Sequence, residues 1–429
     1  MYKFAESNPM IPAELRPWEI LQTQTSIKNV RKIDYHPINS LTSSDTVNFE
    51  LPSLSNFLLK NIQIITQIQV VKDDANPIEG ECFLNSNPSH SLWKHIELTF
   101  NNRTTLMNPM AQSYNLESFF ETIFNEDDRR LDKLLNDRAF LLDDVSDKDS
   151  SEDLKKLGES TNAKKRSKSI LSNHPTTFIS DLNCSLIQQG KLLPSNLPMS
   201  ISMTKNEGSY VLIQDNDDYD LKIRNVFLRV TYVEPTLSYL TAFNDLLDSK
   251  KAIYECNMGE ISTFSIPSGN TKHMFTNIVT GKLPHFMVFT IQDREAIAGN
   301  SKKNPFTFHA FKSIQIFVNN REYFPEVLEC DIKNNDFTVM FNHFNEALGY
   351  DKRGSCLINK DNFKTHFMIP IALSSDRTLH RHHNLQEVVD FKVLINFEKP
   401  TIDDQILLIY SSYDRLIQID SDRNVEIIK

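Results

Sequence analysis

Three histidines within four residues form a dense group of potential metal ligands. His380, His382 and His383 could bind Zn²⁺ or Ni²⁺ if a carboxylate such as Glu387 joined them. Their spacing matches no established metal site, and Arg381 between them adds positive charge that opposes a bound cation. We therefore interpret this segment as a solvated loop and expect no metal ligand in it.

An acidic residue and a lysine two positions apart are a second pattern with possible chemistry. Asp390 and Lys392 would share one face of a predicted strand, as in some metal-dependent nucleases. The same triplet recurs at Asp331 and Lys333, and such triplets are frequent in any charged chain. Polarity at a strand edge is therefore the favoured interpretation of both.

The patterns that bind nucleotides are missing from the sequence. The pairs Gly190-Lys191 and Gly281-Lys282 are not followed by Ser or Thr and lack the earlier glycine of a P-loop. No GxGxxG, HExxH or GxSxG occurs, and the whole chain has only 10 glycines. The sequence predicts a protein that is not an enzyme, with no catalytic, cofactor-binding or metal-binding residue and no cofactor.

A short basic run, Lys-Lys-Arg-Ser-Lys at residues 164–168, could be a nuclear-import signal or a DNA-facing patch. Acidic residues on its N-terminal side favour a solvated loop instead. The formal net charge is −10, and no basic block is long enough to neutralise many phosphates. We expect contact with DNA to be indirect at most.

The cysteines and the hydropathy pattern indicate where the protein is found. The five cysteines include no CxxC pair, and an odd number does not form a disulfide framework, so we expect them to be reduced. No run approaches the roughly 18 apolar residues of a membrane helix, and the first residues lack a secretory signal. We expect a soluble, unexported protein without a membrane-spanning segment.

Short runs rich in Val, Ile, Phe and Thr recur between clusters of Asn, Asp, Pro and Ser, which is typical of antiparallel strands. Their number and their long connections favour a sandwich or jelly roll over βαβ units. The predicted strands are 46–51, 61–71, 92–100, 176–182, 199–203, 210–214, 221–233, 252–255, 261–266, 286–291, 313–318, 366–371, 388–397 and 405–410. The few predicted helices are 111–125, 237–247 and 337–348.

One segment of the first half is repeated in the second. Residues 94–103, KHIELTFNNR, are echoed by residues 312–321, KSIQIFVNNR. In both copies an alternating strand runs into an Asn-Asn turn, whose residues tolerate positive φ and suit a tight hairpin. An aromatic-rich helix is predicted after each copy. This pattern predicts that the two halves are structural repeats.

The composition changes at two places along the chain. The predicted units are an N-terminal arm over 1–40, a first β domain over 41–235 and a second over 236–429. Residues 125–173 are dense in Asp, Glu, Lys, Arg and Ser. They are predicted to be an exposed, partly disordered insertion in the first domain.

Several short motifs occur in an order that resembles one family of viral proteins. They are Tyr-His-Pro-Ile at 35–38, Phe-Ser-Ile-Pro at 264–267 with Gly269-Asn270, Gly-Lys-Leu-Pro at 281–284, Asn-Pro-Phe-Thr-Phe at 304–308 and the segment 413–425. Together they resemble the hexon-like major capsid proteins of Polinton (Maverick) transposons and adintoviruses, over roughly residues 20–429.

The resemblance implies a mainly all-β fold of two tandem antiparallel eight-stranded jelly rolls with a few short helices. It implies a structural protein that trimerises into pseudo-hexameric capsomers, which tile an icosahedral shell around a double-stranded DNA genome. The implied partners are further copies of the chain, neighbouring capsomers and a penton or minor capsid protein. The implied location is the virion, with synthesis in the host cytoplasm and assembly in the nucleus.

Other functions remain open at this stage. A jelly roll also suits an attachment protein that binds a carbohydrate or receptor, or a minor capsid protein, because fold alone does not decide function. Lectin-type modules usually work outside cells, whereas this sequence lacks an export signal and a disulfide framework, which favours the capsid interpretation. A third hypothesis is an enzyme with an unfamiliar site, such as a nuclease using Asp390.

Overall fold

The computed structural model of the chain describes residues 23–42, 44–72, 82–106, 113–144, 160–170, 174–214, 219–279, 281–324, 328–331, 334, 336–350, 356–373, 388–401 and 404–428. The strands are β1 (Ile27–Tyr35), β2 (Thr46–Leu51), β3 (Leu58–Lys72), β4 (Cys82–Leu84), β5 (Trp93–Phe100), β6 (Thr104–Leu106), β7 (Thr176–Asp181), β8 (Met199–Lys205), β9 (Leu212–Gln214), β10 (Tyr219–Pro235), β11 (Ala252–Ile266), β12 (Lys272–Phe275), β13 (Phe286–Asp293), β14 (Ser313–Val318), β15 (Arg321–Glu322), β16 (Leu328–Glu329), β17 (Ile369–Ala372), β18 (Phe391–Asn396), β19 (Gln405–Ile419) and β20 (Val425–Ile428). The helices are α1 (Pro88–Ser91), α2 (Ser113–Asn125), α3 (Leu131–Arg138), α4 (Thr161–Ser167), α5 (Ser185–Gln188), α6 (Gly208–Val211), α7 (Leu237–Ser249), α8 (Arg294–Ile297) and α9 (Thr338–Leu348), with 3₁₀ turns at Asp128–Arg130 and Asn362–Lys364.

The strands of the first half form two antiparallel four-stranded sheets. Their orders are β1-β10-β3-β7 and β2-β8-β5-β6, and β4 pairs with β9 beside them. In β2 and β7 every second residue is buried, as expected of strands with one face on a core. Buried side chains of both sheets join one hydrophobic cluster, so the core of this half lies between them.

The second half repeats this arrangement. Its sheets have the orders β11-β19-β13-β17, with β20 beside β19, and β12-β18-β14-β15, with β16 beside β14. All eight residues of β13 are buried, because this central strand is covered on both faces. A second hydrophobic cluster combines side chains of both sheets. The predicted double jelly roll is confirmed as the fold.

The repeated Asn-Asn turn has the same backbone conformation in both halves. Asn101 and Asn102 have φ values of 50° and 53°, and Asn319 and Asn320 have 52° and 61°. Asn tolerates this left-handed region better than most residues with a side chain. The turns close the hairpins β5–β6 and β14–β15, and α2 and α9 follow them along the chain. The prediction of repeated halves is therefore confirmed at this motif.

Several strand predictions needed correction. The strands predicted at 252–255 and 261–266 are one continuous strand, β11, because pairing with β19 along its whole length overrides the weak β propensity of the residues between them. The segment 210–214 begins in α6 and reaches β9 only at Leu212. Part of the predicted N-terminal arm, Ile27–Tyr35, is the edge strand β1 and pairs with β10.

The prediction of an exposed insertion at 125–173 is wrong for much of its described part. This part includes α3 and α4, and Leu134, Phe140 and Ala163 are buried. The ring of Phe140 lies 6.0 Å from that of Phe119, so aromatic packing holds this segment against the body of the protein. Residues 145–159 and 171–173 lie outside the described residues.

The two hydrophobic clusters do not stop at the middle of the chain. Phe119, Phe120 and Ile123 of α2, in the first half, belong to the cluster of the second half. Conversely, Tyr254 of β11 and Ile417 of β19 belong to the cluster of the first half. The paired strands β11 and β19 therefore pass from one core to the other. The predicted division between residues 235 and 236 stays a prediction.

Candidate functional site

The most extensively built site among the described residues is the contact between the halves, which we call the junction. It consists of α2, residues 84–86 and 141–143, and Arg166 from the first half. From the second half it includes Gly259, residues 304–308 and Tyr410. Its side chains form direct contacts between the two jelly rolls.

Aromatic rings form the apolar part of the junction. Phe119 stacks on Phe306 with ring centroids 4.5 Å apart, and Phe120 stacks on Phe308 at 5.9 Å. Tyr410 lies 5.5 Å from Phe120. Such pairs contribute about 0.5–1.5 kcal/mol each beyond the area that they bury. The helix α2, predicted at 111–125, therefore positions a set of rings against the other half.

A buried ion pair forms the polar part of the junction. Arg166 Nη2 donates to Asp143 Oδ1 over 2.9 Å, and the exposed fractions of these side chains are 0% and 4%. Arg166 also donates to the carbonyl oxygens of Leu84 and Leu141. Asn304, in the second half, donates to Asp143 Oδ2 over 2.6 Å. One buried network thus crosses between the halves.

The solvated-loop interpretation of the basic run at 164–168 is wrong for Arg166. The run forms the last turn of α4, and this turn places Arg166 inward while Lys164, Lys165 and Lys168 stay exposed. Nothing in the spacing of the run distinguishes Arg166 from its neighbours. The burial of Arg166 depends on its contact with Asp143, which lies elsewhere in the sequence, so the local pattern does not predict it.

Two glutamates lie in the junction on successive turns of α2. Glu121 Oε1 accepts a hydrogen bond from the Tyr410 hydroxyl, and its other oxygen accepts one from Asn125. Burial raises the pKa of Glu121. Part of the Glu117 side chain is exposed, but its carboxyl group is buried. This burial is the main reason that the pKa of Glu117 lies well above the ordinary 4.5, and repulsion from Glu121 and Glu260 raises the pKa further.

A glycine allows α2 to lie close to β11. A Cβ atom on Gly259 would lie 2.7 Å from Tyr410 Cε2 and 3.1 Å from Glu117 Cγ. The first distance is shorter than real carbon contacts allow, and the neighbour is a buried ring with little freedom to move. Gly259 was not singled out from the sequence, because its role depends on what lies opposite.

The Asp390 and Lys392 pair stabilises a turn. Lys392 Nζ lies 2.8 Å from Asp390 Oδ2 and donates to Asn320 Oδ1 over 2.7 Å. Asn319 Oδ1 accepts from the Asp390 main-chain nitrogen over 3.0 Å. Both charged side chains are partly exposed. These contacts join the start of β18 to the second Asn-Asn turn.

The other two sequence patterns with possible chemistry form no site among the described residues. Asp331 accepts hydrogen bonds from Asn334, whereas Lys333 lies outside the described residues. The histidine group and Glu387, all within 374–387, also lie outside them. Within the described ranges, no three His, Cys, Asp or Glu side chains form a group that could hold a metal ion. No helix in those ranges is long and apolar enough to cross a membrane.

Comparison with known proteins relates this geometry to a class of folds. No family model matches the chain. An uncharacterised protein of Caenorhabditis elegans is 19% identical over 428 residues, which cover 94% of this chain and 98% of that protein.

Three solved structures are similar over nearly the whole chain. A chain of the Sputnik virophage is 11% identical with a TM-score of 0.66, and the match covers 100% of this chain and 93% of that one. The mavirus major capsid protein is 12% identical with a TM-score of 0.58, covering 100% and 96%. The PBCV-1 virus capsid model is 10% identical with a TM-score of 0.58, covering 96% and 99%. The chain therefore has the double jelly-roll fold found in viral major capsid proteins.

Proposed function

We propose that the chain is a major capsid protein that trimerises into pseudo-hexameric capsomers, which tile an icosahedral shell around double-stranded DNA. The observation that carries this proposal is the structural likeness to the Sputnik, mavirus and PBCV-1 chains over nearly the whole length. The likeness therefore extends over both jelly rolls of the chain. A shell protein works by mutual burial of surfaces, so the proposed role is structural and not enzymatic.

The junction supports the proposal physically. Three chains around a threefold axis present six similar barrels only if the two barrels of each chain keep a fixed relative position. The aromatic stacks, the hydrogen bond from Asn304 to Asp143 and the shared strands β11 and β19 favour such a fixed position. The covering of sheet edges by neighbouring copies would also remove unpaired backbone groups from solvent.

The partners and location follow from the same proposal. The chain would bind its own copies, neighbouring capsomers and a penton or minor capsid protein, in the lineage of Polinton transposons and adintoviruses. The formal net charge of −10 favours a container that contacts the packaged DNA only indirectly. The protein would be made in the host cytoplasm, assembled in the nucleus and found in the virion.

Light scattering of the purified full chain over a wide concentration range tests the proposal. We expect a trimer of the 49.6 kDa chain, with pseudo-hexagonal outlines or closed shells when the same fractions are imaged by negative stain. A strict monomer at every concentration would contradict the proposal. Glycan or receptor binding by that monomer would favour the attachment-protein hypothesis.

A further inference from the structure

Among the described residues, the helix α7 has an apolar stripe that is partly exposed. Leu240 and Leu247 are buried, whereas Tyr239 is 44% and Leu246 60% exposed. Spacings of four and three residues place Tyr239, Phe243 and Leu246 along one side of the helix, next to its buried face. We call Tyr239, Phe243 and Leu246 the α7 stripe.

Two side chains of the α7 stripe contact one another. The rings of Tyr239 and Phe243 stack with centroids 6.3 Å apart, and Phe243 is half-buried against the body of the protein. Single exposed apolar side chains are common, whereas a contiguous row offers more apolar surface for a partner to bury. The exposed Asp245 and Asp248 lie on the polar sides of the same helix, away from the stripe.

The N-terminal part of the chain reaches the protein beside this helix. The Thr236 main-chain nitrogen, immediately before α7, donates to the carbonyl oxygen of Ser26 over 2.9 Å. β1 runs antiparallel to β10, with Ile27 paired to Pro235. Residues that precede β1 therefore leave the sheet at the end where α7 begins.

Residues 1–22, outside the described part, have the composition of a ligand for such a stripe. They include Ile11, Leu15, Trp18 and Ile20, and Trp18 is one of only two tryptophans in the chain. The other, Trp93, is fully buried. Residues two apart share a face in an extended chain, so Trp18 and Ile20 can contact one surface together.

The distances are compatible with docking within one chain. The 13 residues of α7 extend about 20 Å at 1.5 Å per residue. Trp18 precedes Ser26 by eight residues, which reach up to about 26 Å when extended. The tether also makes the contact intramolecular, which raises the effective concentration of the segment to about the millimolar range.

We propose that the α7 stripe binds residues 1–22 of the same chain, with Trp18 and Ile20 packed on Tyr239, Phe243 and Leu246. The docked segment shields the stripe from other partners. The inference does not depend on the capsid function, because it concerns a contact within a single chain.

Tryptophan fluorescence of the full chain tests the contact. The difference between the natural chain and Trp18→Phe isolates the emission of Trp18. We expect a blue-shifted emission that acrylamide quenches weakly, because the indole is buried against the stripe. Leu246→Ser and Tyr239→Ser should shift the emission to the red and raise the quenching constant severalfold.

Asp245→Ser, on the polar side of α7, is the matched control and should leave the Trp18 emission unchanged. An emission typical of a solvated indole in the natural chain would overturn the proposal. So would a protected emission that neither Leu246→Ser nor Tyr239→Ser alters, since Trp18 would then be bound elsewhere.

A disulfide test identifies the occupant. The variant with Trp18→Cys and Leu246→Cys should form, on mild oxidation, a cross-link within one chain that keeps monomer size on a denaturing gel. The pair Trp18→Cys and Asp245→Cys should cross-link far less. Covalent dimers would overturn docking within the chain in favour of a neighbouring copy, and a lack of any cross-link would overturn the contact itself.

Discussion

The guanidinium of Arg166 has no exposed surface, and its charge is balanced by Asp143 and by two main-chain carbonyl groups. A buried ion pair contributes little net stability compared with an apolar pair, but removal of one partner leaves an uncompensated charge. The same carboxylate accepts a hydrogen bond from Asn304 of the other half. Loss of the Arg166 side chain is therefore expected to disturb the contact between Asp143 and the second half as well.

Arg166→Met should lower the free energy of unfolding by about 3–5 kcal/mol, because Asp143 remains buried without its partner. Urea unfolding measures the change. The exposed neighbour variant Lys165→Met should change it by less than about 0.5 kcal/mol. The double variant Arg166→Met with Asp143→Leu should recover part of the loss. Equal effects of Arg166→Met and Lys165→Met would contradict the role of the ion pair.

Glu117 should make the stability of the protein decrease with rising pH. Burial and neighbouring carboxylates raise its pKa in the folded chain well above 4.5, so the folded state binds its proton more tightly than the unfolded state. The stabilising contribution of this group is fully present below pH 4.5, and it is lost as the pH rises through the pKa that Glu117 has in the folded chain. Glu117→Gln should flatten this decline and stabilise the protein at neutral pH.

Urea unfolding at a series of pH values measures that dependence. Glu255→Gln is the control, because Glu255 is an exposed residue of the neighbouring strand β11. The variant Glu117→Gln should differ from the natural chain more at high pH than at low pH. A constant difference across the series would mean that the Glu117 carboxyl is not the titrating group.

At the level of elements, the approach of α2 to β11 is the contact on which the junction depends. Gly259 is the position at which the two elements come too close for a side chain. α2 itself carries a set of rings, with Glu117 beside Gly259 of β11 and Glu121 bonded to Tyr410 of β19. A small displacement of the helix would therefore disturb both the stacks and the hydrogen bond of Tyr410.

Gly259→Ala should destabilise the protein by about 1–3 kcal/mol, because the new methyl group overlaps the Tyr410 ring. Thermal or urea unfolding measures the change, and hydrogen exchange of α2 locates it. Gly190→Ala is the control, since that glycine is exposed with open space around it, and the change there should stay below about 1 kcal/mol. Similar effects at both positions would argue against close packing at the junction.

At the level of the whole molecule, each core contains side chains from both halves. Loss of one jelly roll would therefore expose apolar surface of the other. The two rolls are expected to unfold as one cooperative unit, although the chain is longer than most two-state proteins. Trp93 lies in the first core, so its fluorescence shows whether unfolding of the second core also disrupts the first.

Phe391→Ala, in the second core, should lower the free energy of unfolding by about 3–5 kcal/mol. In a Trp18→Phe background, the unfolding transition followed by Trp93 fluorescence should shift by the same amount as the transition followed by circular dichroism. Val339→Ala, at an exposed position, should shift neither. A shift in circular dichroism alone would show that the halves unfold separately.

The local pattern of the sequence was sufficient for elements whose side chains repeat at a fixed period. β2 and β14 have their predicted bounds, because strict alternation or a short apolar run between turn residues defines them. The Asn pairs at 101–102 and 319–320 adopt the predicted positive φ, because that preference is a property of the residue itself. The double jelly roll followed from the repeat and from the family resemblance.

The junction, in contrast, was decided by tertiary structure. In the sequence Arg166 is one cation in a basic run, and only the fold surrounds it with Asp143 and two carbonyl groups; likewise, only the fold places Tyr410 opposite Gly259. These contacts join residues far apart in the sequence, so no local period encodes them. The sequence by itself determined the Asn-Asn turns and the strands that have a clear local period. Only the packing of the halves determined which side chains become buried between them, because burial depends on what folds against each surface.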